Sequence, residues 1–244
     1  MTSRLLYILA VLLLLTPANM ANAEKKQPFA QDLRIGARGG VNFTKVAFRP
    51  QIKESYALKY SGGFVARWVT ERHFGLQAEL GYSMRGWERE FISDRHIEAG
   101  HEYSRELNYL ELPLMTHIYF GKKAVRCFFN LGPQASLFLS EKEKTNINVS
   151  TITDPSDFQE VGKPIENKFD WGICGGGGFE VFTRTGSYIV EARYYYGLGN
   201  IFGSSRDVEG TGENSKRKDP FSQSSMSVIS VNFTYLIPIP LKGK

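Results

Sequence analysis

The sequence has 244 residues, 42% hydrophobic residues and a formal net charge of +5, which suits a single folded domain. The bases are spread along the chain without a patch of interleaved aromatic residues, so nucleic acid is not an expected partner. Beyond the amino-terminal apolar run, no segment has the roughly 20 apolar residues that a transmembrane helix needs. If the mature chain spans a membrane, it must therefore do so as a closed β-barrel.

The amino-terminal segment has the layout of a cleaved secretory signal peptide. Arg4 supplies a positive charge, residues 5–15 are an unbroken apolar run, and Ala21 and Ala23 are the small residues that a signal peptidase needs. The run is too short to be a transmembrane helix. We therefore expect residues 1–23 to be a signal peptide and residues 24–32 to be a periplasmic amino-terminal segment.

The rest of the chain shows apolar and polar residues in alternation, the period of half-buried β-strands. An even number of strands is typical of single-chain bacterial barrels. We predict an all-β fold: an eight-stranded antiparallel up-and-down transmembrane β-barrel with a polar packed lumen over residues 33–236, followed by a periplasmic tail, 237–244. The predicted strands are 33–43, 63–70 (with its facing left open), 76–85, 107–120, 125–139, 169–182, 188–198 and 225–236.

The predicted connections alternate in length. Short connections in barrels of this kind lie on the periplasmic side and long ones outside the cell, so both chain ends should be periplasmic. The short connections are 71–74, 121–123 and 183–186, and the long ones are 44–60, 88–105, 140–168 and 200–224.

The polar face of the predicted strands carries charges of both signs. An eight-stranded barrel is just wide enough for side chains to fill it, so we expect these charges to pair in the lumen. On the lipid face, an arginine near the bilayer midplane would cost roughly 2–4 kcal/mol. The predicted lumen network consists of the bases Arg34, Arg38, Arg67, Arg85, Arg126 and Arg193 and the acids Glu79, Glu111, Asp170, Glu180 and Glu191.

Aromatic residues cluster near both ends of the predicted strands. Two such girdles are typical of membrane interfaces, and they favour a membrane barrel over a soluble lipocalin-like barrel, whose lumen would be an apolar cavity. The predicted girdles are Trp68, Phe74, Phe120, Phe182, Tyr188 and Tyr235 at one end and Phe43, Trp87, Trp171 and Tyr196 at the other.

Three local features carry expectations of their own. Alternation places Cys127 on the lipid face and Cys174 in the lumen, and such side chains cannot form a disulfide. Pro113 lacks the N–H that a central strand needs, so we expect a bulge or bend there. The four glycines 175–178 lack the following Lys-Ser or Lys-Thr of a phosphate-binding loop, and we expect a bulky neighbour to pack against them.

No arrangement of residues indicates catalysis or metal binding. His96 and His101 share a long predicted loop with acidic residues, but their spacing matches no established metal-ligand pattern. No Ser/His/Asp arrangement can be read from the sequence. We therefore expect no enzymatic activity, no cofactor, no metal and no small-molecule substrate.

Several motifs resemble those of the PorT-like outer-membrane barrels, over nearly the whole mature chain. Residues 107–114 are similar to that family's Tyr-Leu-Glu-aliphatic-Pro-Leu strand, in which Pro113 belongs to the pattern. The other matching segments are 39–42 (Gly-Gly-Val-Asn), 131–133 (Leu-Gly-Pro), 191–194 (Glu-Ala-Arg-Tyr) and 196–198 (Tyr-Gly-Leu).

The resemblance implies an outer-membrane protein of a Gram-negative bacterium with a structural or accessory role in type IX secretion, which carries proteins with a C-terminal sorting domain to the cell surface. Its partners would be outer-membrane lipid and other type IX components. The family defines no catalytic residues to carry over. Two alternatives stay open: a general envelope or adhesion barrel with no export role, and an outer-membrane barrel enzyme.

Overall fold

The computed structural model describes residues 31–49, 55–90, 102–122, 124–145, 162–202 and 223–240. The predicted signal peptide, most of the predicted amino-terminal segment and the end of the predicted tail lie outside these residues, as do His96 and His101. Within the described ranges, no helix has the length and apolar character needed to span a membrane.

In the described part of the chain, eight antiparallel strands form one closed ring. Each strand pairs with its neighbours in sequence, and β8 pairs with β1 from Ile239 opposite Leu33 to Gln223 opposite Arg49. The predicted fold class is confirmed. The strands are β1 Asp32–Arg49, β2 Ala57–Glu71, β3 Phe74–Glu90, β4 Glu102–Lys122, β5 Val125–Thr145, β6 Phe169–Phe182, β7 Ser187–Gly197 and β8 Gln223–Ile239.

Alternation along each strand separates a buried polar face from an exposed apolar one. In β3, Glu79 is 2% exposed and its neighbour Leu80 is 49% exposed. The open facing of β2 is settled in the same way, because Arg67 points inward and Phe64 points outward. Large apolar side chains are exposed on all eight strands, an arrangement typical of a barrel whose outer wall contacts lipid.

Several strands run further than predicted on the side of the long connections. β1 continues to Arg49, inside the predicted connection 44–60, and β5 continues to Thr145. At the opposite side, that of the short turns, β8 ends at Ile239, three residues beyond the predicted barrel end at 236. In the β1 extension the inner face is apolar and the outer face is polar: Val46 and Phe48 are buried, whereas Arg49 is exposed. The apolar-outward pattern used to predict the strands therefore does not extend to these residues.

Two residues assigned to the aromatic girdles point inward instead. Trp87 is fully buried and packs against Phe48, with 5.5 Å between ring centroids. Phe182 is half-buried, with the Arg34 guanidinium 4.7 Å from its ring centroid. Both assignments were wrong because aromatic identity was weighed above alternation: Trp87 is two residues after the inward-facing Arg85.

Pro113 produces no register shift, contrary to the prediction. Pairing of β4 with β3 keeps one offset on both sides of Pro113, and Pro113 lies opposite Gln134 of β5. The β3–β4 ladder has no pair at residues 112 and 113, as expected where the proline N–H is missing. The irregularity in the β4–β5 ladder lies instead between Asn108 and Tyr109.

The two cysteines lie on opposite faces of the barrel wall, as predicted. Cys127 is exposed on the outer surface, Cys174 is buried in the lumen, and both are free thiols. The Cys174 thiol donates a hydrogen bond to the Gly132 carbonyl oxygen at 3.5 Å. This geometry confirms the strand facing on which the prediction rested.

Candidate functional site

The lumen is the candidate functional site because it collects the predicted charged residues. Glu79 lies at its centre and accepts two hydrogen bonds from Arg193, at 2.9 and 2.8 Å. Arg38 Nε lies 2.8 Å from the same carboxylate, and Arg193 Nη2 also lies 2.7 Å from Glu191. Four of the predicted residues therefore form one ionic cluster.

A second cluster lies towards the long connections and is organised by Arg85, which is fully buried. Its Nε donates to Glu111 at 3.0 Å, and its Nη1 donates to Asp170 at 3.2 Å. The Tyr195 hydroxyl also donates to Asp170, at 2.7 Å. Arg38 Nη2 lies 3.3 Å from Glu111, so the two clusters are continuous.

A third cluster lies towards the short turns. Arg67 Nη1 donates to Glu180 Oε2 at 3.0 Å, and the Ser187 hydroxyl donates to Glu180 Oε1 at 2.6 Å. Arg34 is half-buried and lies 3.9 Å from Glu180 and 2.7 Å from Asp32. Ten of the eleven predicted lumen residues therefore form ion pairs.

Arg126 is the exception, and the pairing predicted for it was wrong. Strand register places Arg126 opposite Glu180, but that carboxylate is held by Arg67 and Ser187. The Arg126 guanidinium lies instead between two rings, 4.6 Å from the Tyr119 centroid and 4.5 Å from the Phe182 centroid. Among the described residues, it has no carboxylate within ion-pair distance.

Neutral polar side chains complete the lumen, and they were not among the predicted residues of the lumen network. His117 Nδ1–H donates to Asn130 Oδ1 at 2.8 Å, and Asn130 Nδ2 donates to Glu191 at 2.9 Å. The alternation of polar and apolar residues places them on the inward face of their strands, and this was the signal that could have identified them. A cavity of about 20 Å³ remains among the polar side chains, close to the space needed by a single water molecule.

An aromatic layer closes the lumen at the end of the long connections. Phe202, from the segment after β7, is fully buried and stacks on Phe48, with 5.9 Å between centroids. The Ile201 N–H donates to the Ser224 carbonyl oxygen at 3.0 Å, which holds this segment against β8. Alternation could not predict this layer, because Ile201 and Phe202 lie outside the strands.

Arg105 joins this layer and was also missed. It is 1% exposed, and its Cζ lies 5.7 Å from the Trp87 centroid and 5.6 Å from that of Phe202. Its guanidinium forms an ion pair with Glu141. Arg105 was placed in a predicted connection, so its inward facing was not considered.

The glycine run 175–178 is explained by close strand packing. A Cβ on Gly176 would lie 2.8 Å from Arg193 Cα, and a Cβ on Gly178 would lie 2.9 Å from Glu191 Cα. On the inner face, the glycines therefore allow the backbone of β7 to approach closely. The predicted bulky neighbour lies on the outer face, where a Cβ on Gly175 would lie 3.0 Å from Leu131 Cδ1. On the outer face, the glycines leave a groove bordered by apolar residues such as Leu131 and Tyr194.

We expect the barrel to show no steady conductance, because paired charges and the aromatic layer fill the described lumen. Single-channel recording of the refolded protein in planar bilayers should give the baseline of protein-free membranes. A porin in the same lipid serves as the positive control. A reproducible open level of porin size would contradict this prediction.

Residues 29–203 match the model of a family described as the outer membrane protein beta-barrel domain. This match covers more than half of the chain and includes β1 to β7. Among curated proteins, none matches the sequence.

Solved structures of small outer-membrane proteins are similar to this chain at low sequence identity. OprG from Pseudomonas aeruginosa is 11% identical, with 87% of this chain and 97% of that chain covered and a TM-score of 0.48. Neisserial surface protein A is 10% identical, with 85% and 99% covered and a TM-score of 0.41. Ail of Yersinia pestis, in complex with a heparin analogue, is 11% identical, with 84% and 99% covered and a TM-score of 0.38.

Proposed function

Because this chain belongs to the outer membrane protein β-barrel domain family and lies in the outer membrane, we propose that it is a structural or accessory barrel of type IX secretion. The motif at residues 107–114 supports this assignment, and in length, signal and motifs the chain resembles PorT within the PorT-like group. Outer-membrane lipid surrounds the barrel, and other type IX components are its proposed partners.

The positions of the motif residues support the resemblance. Glu111 bridges Arg38 and Arg85 in the lumen, and the Tyr109 ring centroid lies 4.8 Å from Arg85 Cζ. Leu112 faces outward and is 46% exposed. The motif therefore supplies both the lipid-facing wall and the centre of the lumen network, as expected of a signature of this kind of barrel.

The filled lumen is the observation that carries the accessory role. Buried ion pairs occupy the barrel centre, so a secreted polypeptide would have to cross the membrane elsewhere. The same observation supports our proposal that the chain is not an enzyme: Glu111 and Asp170 are both bound to Arg85. That the chain has no cofactor, nucleic-acid partner or small-molecule substrate stays a prediction.

Deleting the gene in its host should block type IX export. We expect proteins with a C-terminal sorting domain to disappear from the cell surface and their unprocessed precursors to accumulate. Quantitative immunoblotting of surface, periplasmic and medium fractions measures both effects, and re-expression of the wild-type chain is the control. Unchanged secretion would refute the export role, and unchanged secretion with altered cell adhesion would favour the general envelope or adhesion barrel.

A further inference from the structure

We propose that the periplasmic mouth of the lumen holds a binding site for a carboxylate group of a periplasmic polypeptide, built on the unpaired guanidinium of Arg126. This inference does not depend on the role in type IX secretion. Its starting point is the difference between Arg126 and the other predicted lumen bases, each of which lies within ion-pair distance of a carboxylate.

The geometry holds the Arg126 guanidinium in place but leaves its charge uncompensated. The Tyr119 and Phe182 rings lie on the guanidinium at 4.6 and 4.5 Å, and Arg34 approaches the same Phe182 ring at 4.7 Å. An aromatic ring that stacks on a guanidinium contacts the face of the guanidinium plane, whereas the N–H groups point outward within that plane. Among the described residues, no carboxylate lies within ion-pair distance of this guanidinium, so its Nη groups can take an anion.

The nearest acid cannot serve Arg126 because other groups hold it. Glu180 Oε2 accepts from Arg67 and Oε1 accepts from Ser187, while Arg34 pairs with Asp32. Within the described residues, the Arg126 Nε is buried without a hydrogen-bond partner. Because this nitrogen is shielded from solvent, a ligand carboxylate would bind the terminal Nη groups of the half-buried side chain.

The position of Arg126 favours a polypeptide carboxylate over a lipid phosphate. Arg126 lies near the start of β5 beside the short β4–β5 turn, and short turns face the periplasm. Like Phe128, Arg126 points towards the lumen, whereas lipid headgroups lie against the outer wall. Arg72 and Arg184 are exposed on the other two short turns, and the described acids at this rim are Glu71 and Asp32, of which Asp32 is paired with Arg34. The described rim therefore has a net positive charge and attracts negative charge. A guanidinium can bind a carboxylate through two parallel hydrogen bonds.

The first test measures whether Arg126 is a structural residue. Arg126→Gln should lower the urea midpoint of the refolded barrel only slightly, because two cation–π contacts but no ion pair are lost. Arg67→Gln is the matched control and should lower the midpoint, because it removes the cation 3.0 Å from Glu180 and leaves only Arg34, at 3.9 Å. A fall with Arg126→Gln as large as that with Arg67→Gln would assign Arg126 to the structural network and overturn the proposal.

The second test measures binding. A C-terminally amidated tetra-glutamate peptide titrated by calorimetry into the folded barrel in neutral detergent should bind saturably, and the C-terminally amidated tetra-glutamine peptide, which has no carboxylate, should not. Arg126→Gln should weaken binding at least about tenfold, whereas Arg184→Gln, an exposed base on the same rim, should weaken it less than about twofold.

Four results would overturn the site: no binding of tetra-glutamate, equal affinity for the Arg126→Gln variant, an equal loss with Arg184→Gln, or full competition by inorganic phosphate at the peptide's own concentration. Reconstitution into vesicles separates a lipid source from a polypeptide. Binding retained in phosphatidylglycerol vesicles supports the polypeptide carboxylate. Binding retained only in zwitterionic phosphatidylcholine vesicles would show that an anionic lipid headgroup competes for the site and would overturn the proposal.

Discussion

Replacing Arg85 by methionine should lower the free energy of unfolding by about 3–5 kcal/mol, the usual effect of breaking a buried ion pair by removing one partner. Arg85 is fully buried and provides the cation for both Glu111 and Asp170. Its loss leaves Asp170 with hydrogen bonding from Tyr195 but without a cation within ion-pair distance among the described residues. Urea titration of the protein in lipid vesicles, followed by heat-modifiable migration, measures the change.

Two control variants separate charge loss from general damage. Arg184→Met removes an exposed arginine from the β6–β7 turn and should change the free energy of unfolding by less than about 0.5 kcal/mol. Arg85→Lys keeps the charge but lacks the planar guanidinium that can bind two acids at once. We therefore expect a decrease in the free energy of unfolding between those of the other two variants. A change for Arg85→Met no larger than that for Arg184→Met would show that the ionic clusters contribute little to stability.

Leu80→Arg should sharply reduce the fraction of protein that folds into a membrane. Leu80 points outward within the apolar belt and is 49% exposed, and an arginine near the bilayer midplane on the lipid face costs roughly 2–4 kcal/mol. Heat-modifiable migration after refolding into vesicles reports the folded fraction. Leu80→Val, which keeps the site apolar, should fold like the wild type.

Glu79→Leu tests the opposite face of the same strand. Glu79 is held by Arg193 and Arg38, so its loss should destabilise the barrel because part of this positive charge is left uncompensated. If Leu80→Arg folded normally and Glu79→Leu gave more folded protein, the lumen and lipid faces would be reversed. A soluble barrel would then be the better description.

The sequence alone determined the number of strands, their order and, outside β2, which side of the wall most strand residues face. A strand has a strict period of two, so adjacent residues such as Glu79 and Leu80 must face opposite sides. The same period placed Cys127 outside and Cys174 inside. Where aromatic identity was preferred over alternation, as for Trp87, the prediction was wrong.

Only the tertiary structure decided which lumen charges pair and how the lumen closes. Glu79 of β3 pairs with Arg193 of β7, 114 residues apart, because side chains from opposite walls meet in a narrow barrel. Glu180 lies opposite Arg126 in the β5–β6 ladder but is bound by Arg67 from across the lumen. Alternation specifies the direction of a side chain and not the depth and distance at which it meets others. It therefore could not predict that Arg126 would be left without a carboxylate.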